Sequence, residues 1–339
     1  MKPSVSPPIR RTSTLVVSSY PPRHCGIGQY ARVQVESLRE HGEDVTVISP
    51  PDGDGDVRVP FLLGRPFLRA ARIGGSFDRI LVHFQPALYY RLGVRAPVSR
   101  VCTSLALWWL TVRRPQTEIL VHEAGPPVPW RPDTEVLRWA FRRARLLFHT
   151  EAERRQLERT YRISTNATLV PHVDGVRVGS IARAEARRRL GVAEGTPLFV
   201  CAGFVHPDKG FERAIATWKR AGRPGRLVIV GSVRDRTPPN LAYEAMLRRE
   251  ATGEEGLTFL DGFVSSEDFD AWIAAADLLV LPYRRSWSSG ALARAQLLGT
   301  PAAVAAVGGL PEQAGPRDVV FQSDDELTEL FVPRIEARA

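Results

Sequence analysis

Lysine is nearly absent from this chain. Of 46 basic residues only three are lysine, at positions 2, 209 and 219, so a lysine inside a motif departs from the habit of the whole sequence. Cysteine is equally sparse: Cys25, Cys102 and Cys201 are odd in number, far apart and in no CxxC pair, which excludes a disulfide framework and a cysteine zinc site and fits a reducing cytoplasm. No apolar run is long enough to span a bilayer. The best candidate, VCTSLALWWLTV from Val101 to Val112, falls well short of the ~20 residues required and reads as a core helix. The opening MKPSVSPPIRRTS lacks an apolar stretch, so it reads as a loose N-terminus and not as a signal peptide. There is no G-x-S-x-G and no HExxH, which leaves hydrolase and metalloenzyme classes without support. Nucleic-acid-reading motifs are missing too, and the arginines are scattered instead of forming one tract.

What is present begins with length. At 339 residues the chain is long for one core and predicts two domains, residues 1–175 and residues 176–339. Charge divides the same way: residues 1–175 hold 25 basic against 16 acidic residues, and the remainder holds 21 of each. A basic half attracts an anionic membrane surface or a phosphorylated substrate. The stretches LLGRPFLRAAR (62–72) and RWAFRRARLLF (138–148) are basic and apolar at helical spacing, so a peripheral membrane association with an anionic or lipid-linked partner is expected from them.

Apolar runs alternate with helical patterns throughout, as in parallel α/β sheets. Strands are expected at 14–19, 44–49, 79–84, 118–123, 145–150 and 167–172, then at 197–203, 226–231, 257–262, 277–283, 301–306 and 318–321. The polar, arginine-rich DGVRVGSIARAEARRRLGVAEGT between the two sets reads as the linker. The fold class is therefore α/β, with two facing doubly wound Rossmann-like domains and functional residues expected at the carboxyl ends of the strands.

Four stretches carry candidate chemistry. CGIGQYA places Gly26 and Gly28 at a helix start, but six residues separate that glycine loop from its strand and the second strand ends at Ser49 without an acid. A nicotinamide-dependent oxidoreductase is thus a distant reading. DGDGD (52–56) has Val57 and Leu63 where a calcium loop needs Gly and Glu, and reads as a polar turn; no metal site is expected. FVHPDKGFERA puts Lys209 beside Gly210 at a helix start, suited to a phosphate oxygen. ADLLVLPYRRSWSSGALARAQLLGTP runs from a strand through Arg284 and Arg285 into Ser288, Ser289 and Gly290, where a helix is predicted to open with a serine N-cap. A helix start presents unpaired N–H groups and about half a positive charge, so this junction also suits a phosphate. Arg294, one turn on, is expected to reach the same phosphate. His122 ends a first-half strand before a Pro-rich loop, AGPPVPW.

Taken in order, PPRHCGIGQYA, VHEAG, LLFHTEAERRQL, LVPHVDG, GFVHPDKGFERA, FVSSEDFDAWIAAADLLVLPYR and SSGALARAQLLGTPAAVAAVGGLPE resemble the glycosyltransferases of family 4, which have the GT-B fold. The resemblance covers about residues 13–330. It implies transfer of a sugar from a nucleotide-diphosphate donor to an acceptor, with retention and with neither metal nor other cofactor. It implies that Lys209 grips the diphosphate, that the backbone of Gly290 and Ala291 cradles it, that Gly26 and Gly28 approach donor or acceptor, that His122 touches the donor sugar, and that Phe263 and Val264 meet the base. The chain departs from the family where paired glutamates usually stand, at Ser286 and Arg294, and where an arginine usually follows the strand, at Phe204. A GT-B-shaped protein that binds a nucleotide sugar or glycan without turnover is the alternative.

Overall fold

A computed structural model describes residues 11–23, 25–90, 96–123, 131–233, 236–262 and 264–332. The chain divides into two compact units, Met1–Phe148 with Glu153–Val170, and His149–Ala152 with Pro171–Ala339. The first holds a parallel sheet of β1 (Ser13–Val17), β2 (Asp44–Ser49), β3 (Val57–Arg58), β4 (Arg79–Phe84), β5 (Thr117–Val121), β6 (Arg145–Phe148) and β7 (Ala167–Leu169), in the order β3-β2-β1-β4-β5-β6-β7. The second holds β8 (Leu198–Ala202), β9 (Arg226–Gly231), β10 (Leu257–Asp261), β11 (Leu278–Leu281), β12 (Ala302–Ala305) and β13 (Val319–Phe321), in the order β10-β9-β8-β11-β12-β13. All twelve expected strands are present. The thirteenth, β3, follows the DGDGD turn and pairs with the end of β2 through Ile48 and Val57; two residues are too few to leave an alternating signal.

Side-chain alternation sorts each strand between two layers. In β1, Leu15 and Val17 join Phe67, Leu107, Leu137, Phe141 and Leu157 on one face. These residues come from the helices Arg65–Ile73, Ala96–Arg113, Pro132–Arg143 and Glu151–Tyr161. Val16 points the other way, toward Tyr30 and Val35 of the helix Gly26–Glu40. The apolar helix at 101–112 lies within Ala96–Arg113 and buries Ala106, Leu107 and Leu110, yet it leaves Leu105 and Trp109 exposed. It is a core helix on one face only. The stretch read as linker carries the helix Arg183–Arg189, whose Arg187 is buried and bonds to the carbonyl of Ala275 at 3.2 Å.

The second unit has one continuous core in which Trp218, Phe211 and Tyr283 are fully buried. In both units strand order reverses once, between β1 and β4 and between β8 and β11. Chain connections leave such a point on opposite faces and open a crevice outside the strand ends, where ligands bind in doubly wound sheets.

Candidate functional site

At the β8/β11 reversal two loops are tied together. The first runs from Gly203 through a 3₁₀ turn at Pro207–Lys209 to Gly210, whose φ of 59° is left-handed. A Cβ at Gly210 would lie 2.3 Å from the carbonyl oxygen of Pro282, so only glycine lets the loops approach this closely. Arg284 donates its amide to the carbonyl of Asp208 at 2.8 Å, and the Asp208 carboxylate takes Arg285 at 2.8 Å. The Arg284 guanidinium pairs with Glu212, and Arg213 donates to the Pro282 carbonyl at 2.8 Å.

The arginines of this junction are thus committed to carboxylates. Lys209 differs: its Nζ lies 3.7 Å from the centre of the Tyr283 ring, a cation–π contact, and no carboxylate pairs with it among the described residues. The fully buried Tyr283 therefore sets where this cation stands.

Across the crevice the helix Gly290–Leu298 opens as expected. Ser289 is the N-cap, and its Oγ accepts from the Leu292 amide at 3.3 Å. Gln313 locks this residue from both sides, accepting from the Ser289 amide at 2.7 Å and donating to its carbonyl at 2.8 Å. Ser288 is held through its carbonyl, which accepts from Ser286 Oγ at 2.8 Å. The amides of Gly290 and Ala291 have no hydrogen-bond partner among the described residues, so the helix start keeps two donors for an anion. His172 lies beneath it, with Nε2 3.7 Å from the place of a Cβ on Gly290 and its ring 4.4 Å from that of His149. Burial, and then the neighbouring His149, push the His172 pKa down to about 3; the ring is neutral at physiological pH.

Arg294 has a partner within the protein. Its guanidinium pairs with Asp270 and lies 5.7 Å from the Phe269 ring. The Asp270 side chain is 5% exposed, and burial pushes its pKa up against the pull of Arg294. An arginine so occupied holds an aspartate in the core, and the expectation that it contacts the phosphate directly has no geometric support. Val264 is half-buried and packs on the core. Phe263 lies outside the described residues, as do residues 124–130.

In the first unit the β1/β4 reversal is flanked by the helix Gly26–Glu40. A Cβ at Gly28 would come within 3.3 Å of the Ser19–Tyr20 backbone, a close approach that explains the glycine without a ligand. Gly26 is exposed at the helix start. His122, just beyond β5, meets the fully buried His83: Nε2 of the first is 2.9 Å from Nδ1 of the second, and the rings stack 5.2 Å apart. Tyr30 touches both rings edge-on.

Sequence reasoning missed Tyr283, Gln313, Asp270 and the His149–His172 pair. Tyr283 stood inside the strand-end motif DLLVLPYR and looked like packing, and Gln313 lies one residue beyond GGLPE; Asp270 and His149 act on partners 24 and 23 residues away, a separation that leaves no local pattern. Glu312, at the end of GGLPE, caps the amides of Glu151 and Ala152 at 2.6 and 3.1 Å.

Residues 196–335 match the family model of the glycosyl transferases group 1. Among curated proteins, a GDP-mannose-dependent monoacylated alpha-(1-6)-phosphatidylinositol monomannoside mannosyltransferase of Corynebacterium glutamicum is 32% identical over 170 residues, 45% of this chain and 42% of that one. A D-inositol 3-phosphate glycosyltransferase of Saccharomonospora viridis is 32% identical over 205 residues, 56% of this chain and 44% of that one. The matches thus span under half the length of these relatives. Among solved structures, the sucrose-phosphate synthase of Thermosynechococcus elongatus superposes with a TM-score of 0.70 at 19% identity, covering 94% of this chain and 88% of that one. The Anabaena protein HepE in complex with UDP gives 0.65 at 15% identity, covering 94% and 88%. The two doubly wound parallel sheets thus share the GT-B fold of these solved structures, and residues 196–335, the second sheet and its helices, are similar to the glycosyl transferases group 1.

Proposed function

We propose that the protein transfers a sugar from a nucleotide-diphosphate donor to an acceptor hydroxyl, with retention and without a metal ion. The observation that carries this reading is the pairing, at one strand-order reversal, of an uncommitted lysine with a helix start whose first two amides are unsatisfied. Breaking the glycosidic bond puts negative charge on the leaving phosphate. Donors already fixed in place stabilise that charge without reorganising as it forms. Lys209 is fixed by Tyr283, and the amides are fixed by Ser289 and Gln313. No protein nucleophile is required if the leaving phosphate oxygen takes the acceptor proton on the same face. His122 is assigned to the sugar, and Gly26 and Gly28 to donor or acceptor, on the family resemblance.

HepE has been solved with UDP and with UDP-glucose, which supports a nucleotide-sugar donor. The names of relatives acting on a phosphatidylinositol mannoside and on inositol 3-phosphate support an anionic acceptor. Cys25, Cys102 and Cys201 are free thiols, which supports a cytoplasmic location. No helix among the described residues is long and apolar enough to cross a membrane. The test is calorimetry with UDP, GDP and ADP in EDTA, followed by nucleotide release from the matching sugar donors with a panel of acceptors. One nucleotide should bind in EDTA, and its release should require an acceptor. Binding that appears only with a divalent ion would refute metal independence, and binding without release for every acceptor would refute transfer.

A further inference from the structure

Exposed large apolar side chains are unevenly placed on the first unit. The helix Gly26–Glu40 on one face of the sheet has none, and its Arg32 and Arg39 are paired with Glu36 and Asp56 at 3.7 and 3.5 Å. The layer on the opposite face is different. Leu68 on Arg65–Ile73, Leu105 and Trp109 on Ala96–Arg113, and Trp139 on Pro132–Arg143 are all 43% exposed or more. These three helices are neighbours, the middle one packing on both others, and Trp139 meets Trp108 edge-on at 6.2 Å. The layer therefore turns one apolar, tryptophan-bearing surface to solvent.

Its arginines are unusual as well. Arg65, Arg69, Arg72, Arg113, Arg142 and Arg162 have no carboxylate partner among the described residues. Arg113 instead lies 5.6 Å from the Trp109 ring. The first unit also has an open depression of about 550 Å³, lined by Arg142, Arg155, Arg159 and Arg162 with Glu158, Ile163 and Ser164. Glu158 does not neutralise it, because that carboxylate is engaged by Arg154 and by the amide and hydroxyl of Thr165 at 2.8, 3.0 and 2.9 Å. Trp139 and Arg142 stand one helical turn apart and share a face.

We propose that this helical layer is a docking surface for an anionic lipid bilayer, with Trp109, Trp139, Leu105 and Leu68 entering the interface and the arginine-lined depression receiving a lipid phosphate. Tryptophan rings are amphipathic and settle at the headgroup level. Guanidinium groups beside them bind phosphate oxygens in pairs. The two features are useful together only at a surface that is apolar within and anionic at its rim. A soluble polyanion would use the arginines and leave the tryptophans in water. The proposal does not rest on the donor site, which lies in the other unit.

The test is sedimentation of the full chain with vesicles of phosphatidylcholine alone and of phosphatidylcholine mixed with phosphatidylglycerol. Binding should be strong only to the mixed vesicles and should fall as salt is raised. Arg142→Glu with Arg162→Glu should weaken it at least about 25-fold, taking about fivefold per arginine removed. Trp109→Ser with Trp139→Ser should weaken it at least about tenfold at unchanged charge. All four side chains are exposed, and circular dichroism with the melting midpoint measured on the same samples reports an intact fold. Equal weak binding to both vesicles would overturn the proposal. So would anionic binding that survives either double variant, or binding that polyphosphate abolishes while the tryptophan variant behaves as wild type; the last would mark a polyanion site.

Discussion

Lys209 is one side chain against which the diphosphate assignment can be weighed. Lys209→Ala should weaken binding of the nucleoside diphosphate about ten- to a hundredfold, the worth of one charge-assisted hydrogen bond. Calorimetry reads this directly, and unchanged affinity would reduce Lys209 to a cation resting on Tyr283. Arg294 predicts the reverse pattern. Its removal leaves the buried Asp270 carboxylate unpaired, so Arg294→Ala should cost about 3–5 kcal/mol of stability in a denaturant titration. A variant that melts like wild type but loses donor would restore the direct phosphate contact. His172 adds a pH dependence. Its native pKa is depressed to about 3, so between that value and the unfolded value near 6.5 only the unfolded chain takes up the proton. Stability therefore falls as pH drops below about 6.5. Relative to His172→Asn, the wild type should lose about 1–2 kcal/mol between pH 7 and pH 5, and parallel curves would contradict this. The helix start at Ser289–Gly290 was legible because a serine N-cap is a local signal, and Lys209 stood out because lysine is rare in this chain. The partner of Arg294 was not, because spacing along one helix says which face a residue shares and nothing of what packs on that face.

At the scale of elements, strands were legible almost wherever a buried parallel sheet demands an unbroken apolar run, as in RLVIVG and DVTVIS, whose spans are Arg226–Gly231 and Asp44–Ser49. Helix starts were legible through their caps, Ser289 being the clearest. The ends of β6 and β7 were read two and three residues too long, because His149–Thr150 and Val170–His172 continue the apolar tone while taking up side-chain roles at the strand ends. Half-exposed helices are the other shortfall: composition marked Ala96–Arg113 as apolar and could not say that one apolar face would remain uncovered. The loop joining β8 to its helix carries its own test. Gly210→Ala demands a left-handed alanine and forces its Cβ against the Pro282 carbonyl, which should cost at least about 2 kcal/mol. The melting midpoint should drop by roughly 4–8 °C. A midpoint within a degree of wild type would mean that this loop is not held as described.

Over the whole molecule, the preference for arginine has a practical consequence. An amine-directed reagent finds few addresses in such a chain. Lys2 and the terminal amine lie outside the described residues. Lys219 is bound by Glu250 and Glu254 at 2.8 and 3.1 Å, and the hydrogen bond it donates to Glu250 first of all raises its pKa, which holds the nitrogen protonated and unreactive. Lys209 alone among the described lysines lacks a carboxylate. Limiting acylation should therefore mark Lys209 ahead of Lys219, and a saturating nucleoside diphosphate should shield it, both readable by peptide mass spectrometry. Equal labelling of the two, or labelling indifferent to nucleotide, would count against the phosphate role. If the pattern holds, the protein carries a ready-made covalent handle at its candidate donor site, to which a probe could be attached without altering the sequence.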